Sequence, residues 1–432
     1  MKSLGLDIGT TTVSAVYLSD GCLLGSVTKK NGYFIESPLP FEKAQNVAAI
    51  EQTAKEAVGE LIDAYGTPDV IGVTGQMHGI LYLDAVGNVL SPLYTWQDGR
   101  GDEILADGES YASCLSRLTG YPVATGYGCV THFYNLKNGL VPADAAVFCT
   151  VHDYIAMRLA GISRPVTDAS DAASFGVFDV KAGCFDTEAL RLAGIDCALL
   201  PAVARTPVIG KTEKGVPVCV AIGDNQASFL GALDGKREGM LINIGTGSQF
   251  SAYSFDYKES AGLETRPFPG GGYLLVGASL CGGRAFAMLA DFFRMTAEML
   301  GTPSDGAYAA MDAIASLGAP EDLPTVTPLF SGTRRDPSLR GSITGLSTEN
   351  FTPKHLIFAM MEGMAKELYE MYLSYLSAGG ESYPLYGSGN GLRKNVPLQG
   401  IFARLFEKEI VLCHRPEEAA TGAALFAESA LA

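Results

Sequence analysis

Residues 6–17 read LDIGTTTVSAVY, and 236 positions later residues 242–253 read INIGTGSQFSAY. Ile8, Gly9, Thr10 and Tyr17 return as Ile244, Gly245, Thr246 and Tyr253, and Thr12 is answered by Ser248. Each copy passes from an apolar run through a small Gly/Thr turn into a second run rich in β-branched and aromatic residues, the pattern of a hairpin with a glycine tip. A tip of Gly and Thr offers backbone N–H groups and hydroxyls to an anion with no bulky side chain in the way. Two such tips, one in each half, imply two lobes holding one polyphosphate. The copies differ at Asp7, which becomes Asn243. Only the first tip can offer a carboxylate to a metal.

A chain of 432 residues has room for two or three domains, and the repeat spacing selects two, 1–235 and 236–432. The net charge of −16 argues against nucleic acid, which rewards basic surfaces, but leaves room for a phosphorylated ligand held by local N–H groups and Mg²⁺. Nine cysteines are scattered without a CxxC spacing, so neither a zinc ribbon nor a dithiol site is indicated. The N-terminus MKSLGLDIG passes directly into the first strand, and no apolar run reaches the roughly 18–20 residues that span a bilayer. The expected location is the cytoplasm.

Between the repeats, apolar runs end at polar clusters. DVIGVTG at 69–75 leads into Gln76-Met77-His78-Gly79, and a strand pair around Val86-Gly87-Asn88 leads to Trp96-Gln97-Asp98-Gly99-Arg100. Strand ends with polar, aromatic and charged side chains line polar-ligand sites better than they build a core. Individually, His78 reads equally as a structural histidine and Trp96 as a core residue; His132 and His152 are read as structural. Asp153 suits the cap of a helix starting at 152. VPVCVAIG at 216–223 runs into Asp224-Asn225-Gln226, where a strand switches to a helix and ligand sites open in α/β sheets. Asp224 is read both as the N-cap of that helix and as a fixed carboxylate base. Walker A is absent, and Gly387-Ser388-Gly389-Asn390-Gly391 lacks the glycine at 392 that GxGxxG requires, so a flat base packed on a glycine turn fits better. The arginines of Ser331-Gly332-Thr333-Arg334-Arg335 pair with phosphate or with the other lobe; the sequence does not choose.

At DIGTTTVSAV, GVTGQMHG, TWQDGR, HDYIAMRLAG, TDASDAASFG, IGDNQAS, INIGTGSQ, GSGNGLRKN and AATGAA, over essentially the whole length, the chain resembles the FGGY family of carbohydrate kinases. The resemblance implies an α/β fold of two actin/hexokinase-like (ribonuclease H-like) lobes with a central ATP/sugar cleft. It makes Asp224 the general base and Asp7 the acid that positions Mg²⁺. Thr10, Thr11 and Thr12 would face the phosphates from the first lobe and Gly245 and Thr246 from the second, with Gly389 and Asn390 along the adenosine. Gln76, Met77, His78 and Asn225 would meet the sugar, with Trp96, Asp98 and Tyr127 as walls. ATP and Mg²⁺ are the implied cofactors and a small ketose the implied partner, with no nucleic acid or membrane and a homodimer allowed. GQMHG is common to the xylulokinase and sedoheptulokinase branches; TWQDGR, ATGYGCVTHFY, VHDY and DAASFGVF resemble the latter more. Sedoheptulose is therefore the first expectation and D-xylulose the second. A non-metabolic ATPase or a sugar-sensing regulator of the same superfamily is the rival reading, opposed by the polar strand ends and by the presence of both Asp7 and Asp224. The chain departs from the family in lacking the Glu of SGER, in Ser388 replacing a glycine, and in its shorter length.

Overall fold

The computed structural model describes residues 1–431 apart from 304, 334, 335 and 337. The arginines at 334 and 335, left undecided above, lie outside the described residues. The chain divides into two compact units: residues 1–236, 266–272 and 415–432 form the first, and residues 237–265 and 273–414 the second.

In the first unit the hairpin anticipated at Gly9 is built from β1 (Lys2–Ile8) and β2 (Thr12–Ser19), and β3 (Cys22–Lys30) extends it antiparallel. On the other side of β1, β4 (Val70–Gly75) runs parallel, followed by two short parallel strands, β5 (Pro217–Cys219) and β6 (Ile222–Gly223), both paired with β4. The second unit repeats this plan. β7 (Met240–Ile244) and β8 (Ser248–Ser254) form the hairpin, β9 (Tyr273–Ser279) extends it antiparallel, and β10 (Leu385–Ser388) and β11 (Ile410–Leu412) continue parallel on the far side. The shared part of each sheet thus orders its strands 3-2-1-4-5, the ribonuclease H-like arrangement, with Val208–Lys211 added beyond β5 in the first and Glu264–Pro267 beside β9 in the second. The repeats are not superimposable in register. The first ladder closes at Ile8–Val13 and the second at Ile244–Ser248, so the second tip is one residue shorter.

Helices cover the sheets because their apolar positions recur every three to four residues. Val47–Tyr65 buries Val47, Ile50, Ala54, Val58 and Leu61; Asn46 caps its start by accepting from the Ala49 amide, and Gly66 ends it at φ 88°. These side chains meet Leu4, Leu6, Ile8 and Val73 beneath the first sheet. A second core in the same unit surrounds Tyr82, Phe133, Phe148 and Phe175. In the second unit Ile242, Phe250 and Leu275 pack on Met361 and Leu368 of the long helix Pro353–Ser377 and on Phe402.

Four expectations change. The final helix, Glu418–Leu431, assigned by sequence to the second lobe, packs on the first sheet. Glycines make this approach feasible: a Cβ on Gly5 would lie 1.9 Å from the Ala420 carbonyl oxygen, and one on Gly72 would lie 2.0 Å from that of Ala423. Leu81–Leu83 takes Val147–Cys149 as its ladder partner, while the segment after Gly87 stays beside it through a bridge of Leu83 to Val89 and the Leu90 amide on the Tyr82 carbonyl. Thr150, not Asp153, caps the helix Val151–Ala160, because its hydroxyl sits one turn before the Asp153 amide that it accepts. Trp96 is 46 % exposed and belongs to no core. All nine cysteines are free thiols, and among the described residues no helix is long and apolar enough to cross a membrane.

Candidate active site

Strand register brings the two key carboxylates to one edge. Asp7 of β1 lies opposite Thr74 of β4, Thr74 lies opposite Ile222 of β6, and its hydroxyl donates to the Ile222 carbonyl at 2.7 Å. Asp224 directly follows β6, so Asp7 and Asp224 sit at the carboxyl ends of the two parallel strands that flank β4, where α/β sheets bind ligands. Gly223 holds the N-cap position of the helix Asp224–Ala232, and Asp224 is its first residue. The capping reading is corrected in position only: Asp224 is the first helical residue, and its carboxylate sits at the positive end of the helix dipole with the Asn225 amide as one partner.

Both acids are half-buried, and neither has an ordinary affinity for its proton. Burial pushes the Asp7 carboxyl up to about 7, aided by the negative charges of Asp224 and Glu417. Burial likewise raises Asp224 to about 6; His152 and Arg266 pull it down and Asp171 pushes it up. Anionic oxygens crowded together at a strand edge are the donor set that a hard divalent cation accepts. The residues present therefore fit Mg²⁺, with Asp7 as the holder.

Around these acids the polar strand ends form a connected surface. The Thr10 hydroxyl donates to Gln76 Oε1 at 3.2 Å and accepts from Trp96 Nε1 at 2.9 Å. Gln76 Nε2 donates to Gln45 Oε1, and Gln45 Nε2 returns to the Thr10 carbonyl. Thr10 thus ties the tip to the segments at 76–79 and 96–100, leaving Thr11 and Thr12 as its exposed members. Met77 lies against Gly223, where a Cβ would come 3.0 Å from its Cε. His78 adopts φ 73°, a left-handed backbone uncommon outside glycine, and its ring stacks on Tyr127 at 4.5 Å. Asn225 keeps a buried Oδ1 that meets no donor among the described residues. Such an orphan acceptor at a strand-end site is what a sugar hydroxyl would satisfy.

Asp98 does not belong to this surface. It is fully buried and spends its carboxylate on Arg100 Nε at 2.6 Å, Arg100 Nη2 at 3.1 Å and the Lys43 amide at 3.0 Å. Arg100 in turn lies over the Tyr94 ring at 3.9 Å. The expectation of a sugar-site wall is corrected to a buried ion pair that shapes the turn presenting Trp96.

Sequence reading missed the layer behind the edge. His152, taken as merely structural, pairs with Asp171 at 3.1 Å, both fully buried. Asp171 also accepts from Thr150 at 2.8 Å and from Ser174 at 3.3 Å. Ser174 Oγ accepts the His78 amide, and the Ser174 carbonyl faces His78 Nδ1 at 2.8 Å. Ser170 Oγ accepts the Gly223 amide at 3.1 Å. The available signal was positional, since His152 follows an apolar strand end just as His78 does.

In the second unit the tip Gly245–Thr246 is exposed, and the amides of Gly283 and Arg284 bond its carbonyls. Gly389, at φ 86°, lies so close to the end of β7 that a Cβ would fall 2.4 Å from the Ile244 oxygen. Gly245, Thr246, Gly389 and the exposed Asn390 therefore gather at one strand end. Asn243 donates to Ser388 Oγ at 2.7 Å. The two departures, Asn for Asp7 and Ser for glycine, are thus partners.

Comparison with known proteins agrees with this geometry. The model of the FGGY family of carbohydrate kinases, N-terminal domain, matches residues 3–231, and that of its C-terminal domain matches residues 240–431. A sedoheptulokinase of Mus musculus is 31 % identical, with 98 % of this chain and 96 % of that protein covered. A xylulose kinase of Bacillus subtilis is 24 % identical, with 98 % and 87 % covered. The crystal structure of a xylulose kinase from Rhodospirillum rubrum matches with a TM-score of 0.85 at 25 % identity, covering 99 % of this chain and 89 % of that one.

Proposed function

The chain belongs to the FGGY family of carbohydrate kinases, and from that premise we propose that it phosphorylates a ketose in the cytoplasm, with sedoheptulose the first substrate and the γ-phosphoryl of ATP the group transferred to its terminal hydroxyl. The observation that carries the mechanism is Asp224, half-buried at the end of β6 with its carboxyl raised to about 6. A carboxylate in that range is ionised at neutral pH yet basic enough to accept the hydroxyl proton as the oxygen attacks phosphorus. The bond from the sugar oxygen to the γ-phosphorus forms, that from the γ-phosphorus to the bridging oxygen breaks, and the proton rests on Asp224.

Each remaining residue has a positional task. Gln76, Met77, His78, Tyr127 and Asn225 orient the sugar, Asn225 through its unfilled acceptor and His78 from a ring held by Ser174 and Tyr127. Trp96 walls the sugar beside Thr10. Thr11, Thr12, Gly245 and Thr246 hold phosphate oxygens, and Gly389 and Asn390 take the adenosine. Mg²⁺, held by Asp7, would supply charge neutralisation at the phosphates.

Sedoheptulose is preferred over xylulose because the relative with the higher identity is a sedoheptulokinase. Asp224→Asn tests the assignment. It should lower kcat by about 10²–10⁴-fold, with ATP binding retained by calorimetry. Near-normal turnover in that variant would sink the base assignment.

A further inference from the structure

The transfer reaction gives the buried His152 no task. His152 sits at the start of the helix Val151–Ala160, directly behind the strand end that precedes Gln76. A Cβ on Gly75 would lie 3.0 Å from His152 Cβ, so the glycine is what admits the imidazole there. Its Nε2 lies 3.1 Å from Asp171 Oδ2, within reach of charge attraction but not aligned as a hydrogen bond, and neither side chain is exposed. Asp171 stands in the segment 170–174, both of whose ends grip the reaction site: Ser170 holds the amide of Gly223, next to Asp224, and Ser174 holds His78 by two contacts.

An isolated buried carboxylate is strongly unfavourable unless a counter-charge and hydrogen bonds compensate it. Thr150 and Ser174 supply hydrogen bonds to Asp171, and His152 supplies the charge. We propose that His152 is a positioning residue: as a buried imidazolium it holds Asp171 ionised and in place, and through the segment 170–174 fixes Gly223 and His78 in the geometry that transfer requires. The proposal rests on the reading of Asp224 as base and His78 as sugar contact.

The charges facing His152 come from four elements. Asp171 is its partner, Asp224 and Asp7 add attraction from the strand ends, and Asp153 lies on its own helix. Burial alone would lower the imidazole, but Asp171 foremost, then Asp224 and Asp7, leave it above its ordinary value. Burial and the neighbouring Asp171 both push the Asp153 carboxyl well above the usual carboxylate range. With the imidazole raised, the cation is present below that value and is lost as pH rises through it. The pair then fails on the alkaline side.

The test combines kinetics against pH with nuclear magnetic resonance of the imidazole carbons, using wild type, His152→Gln, His152→Lys, Asp171→Asn and Asp224→Asn. In wild type one imidazole should titrate above the ordinary range of about 6.5, and in Asp171→Asn it should move down. His152→Gln should lower kcat about 10²-fold, the scale of a small misplacement of reacting groups, with the KM for ATP little changed. His152→Lys should restore most of kcat and carry the alkaline limb to higher pH, because a lysine keeps its charge there. Wild-type kcat in His152→Gln, a lysine variant no better than glutamine, an imidazole already neutral at pH 6.5, or a stoichiometric metal ion lost with His152 would each overturn the proposal. If the variants do not fold, the wild-type titration and alkaline limb decide alone. An active Asp224→Asn would defeat the base reading while leaving the His152 titration to stand or fall by itself.

Discussion

Asp224 has a proton affinity set by competing neighbours, and that makes its role measurable. Burial lifts its carboxyl, His152 and Arg266 counter, and the outcome is about 6. A base must be ionised to act, so kcat/KM should fall as pH drops through about 6 and be level just above it. An aspartate in water would place that limb near about 4. A limb at the lower value would mean that Asp224 is not the titrating base. Asp7 can be separated from Asp224 by metal dependence. Asp7→Asn should raise the Mg²⁺ concentration needed for half-maximal rate by an order of magnitude or more, about the effect of losing a charged ligand. An unchanged Mg²⁺ requirement would remove Asp7 from the metal site.

Among the elements, the terminal helix Glu418–Leu431 determines how firmly both acids are held, because it packs on β1, on β4 and on the Asp224 helix. Beside the apolar packing of Ala420 and Ala424 on Val16 and Leu18, its backbone comes close to that of the Asp224 helix. A Cβ on Gly231 would come 1.9 Å from the Glu418 oxygen, and one on Gly422 would come 1.8 Å from that of Ala227. Gly231→Ala should therefore destabilise the first unit by about 1–3 kcal/mol, the usual scale of overpacking, as read by urea denaturation. A variant as stable as wild type would show that the helices part easily. This packing was not legible in the sequence. The apolar and small residues of AATGAA predict a helix, but nothing local says which sheet receives it. The hairpins were legible, because alternation and a glycine tip are local signals, and so was the strand-to-helix switch at Asp224. Asp98 and Asp153 misled for a shared reason. An acid beside a turn or helix start has several partners within reach, and only the fold decides that Arg100 claims Asp98 and that Thr150 caps in place of Asp153. His152 went unnoticed because its partner Asp171 is distant in sequence.

For the molecule as a whole, one strand plan serves twice, and the copies have diverged where their chemistry differs. β1 carries an acid near its end, on the same sheet edge as Asp224, whereas the equivalent Asn243 donates to Ser388 and has no carboxylate to offer a metal. In the proposed reading, residues between the two copies, from Gln76 to Asn225, meet the sugar, and the repeats meet the phosphoryl donor. ADP formation measured with sedoheptulose, D-xylulose, D-ribulose and glycerol, each with Mg²⁺ present and then chelated, tests this most directly. The account predicts sugar-dependent ADP release that vanishes on chelation, with kcat/KM highest for sedoheptulose. ADP release indifferent to every sugar, or none with any of them, would contradict it.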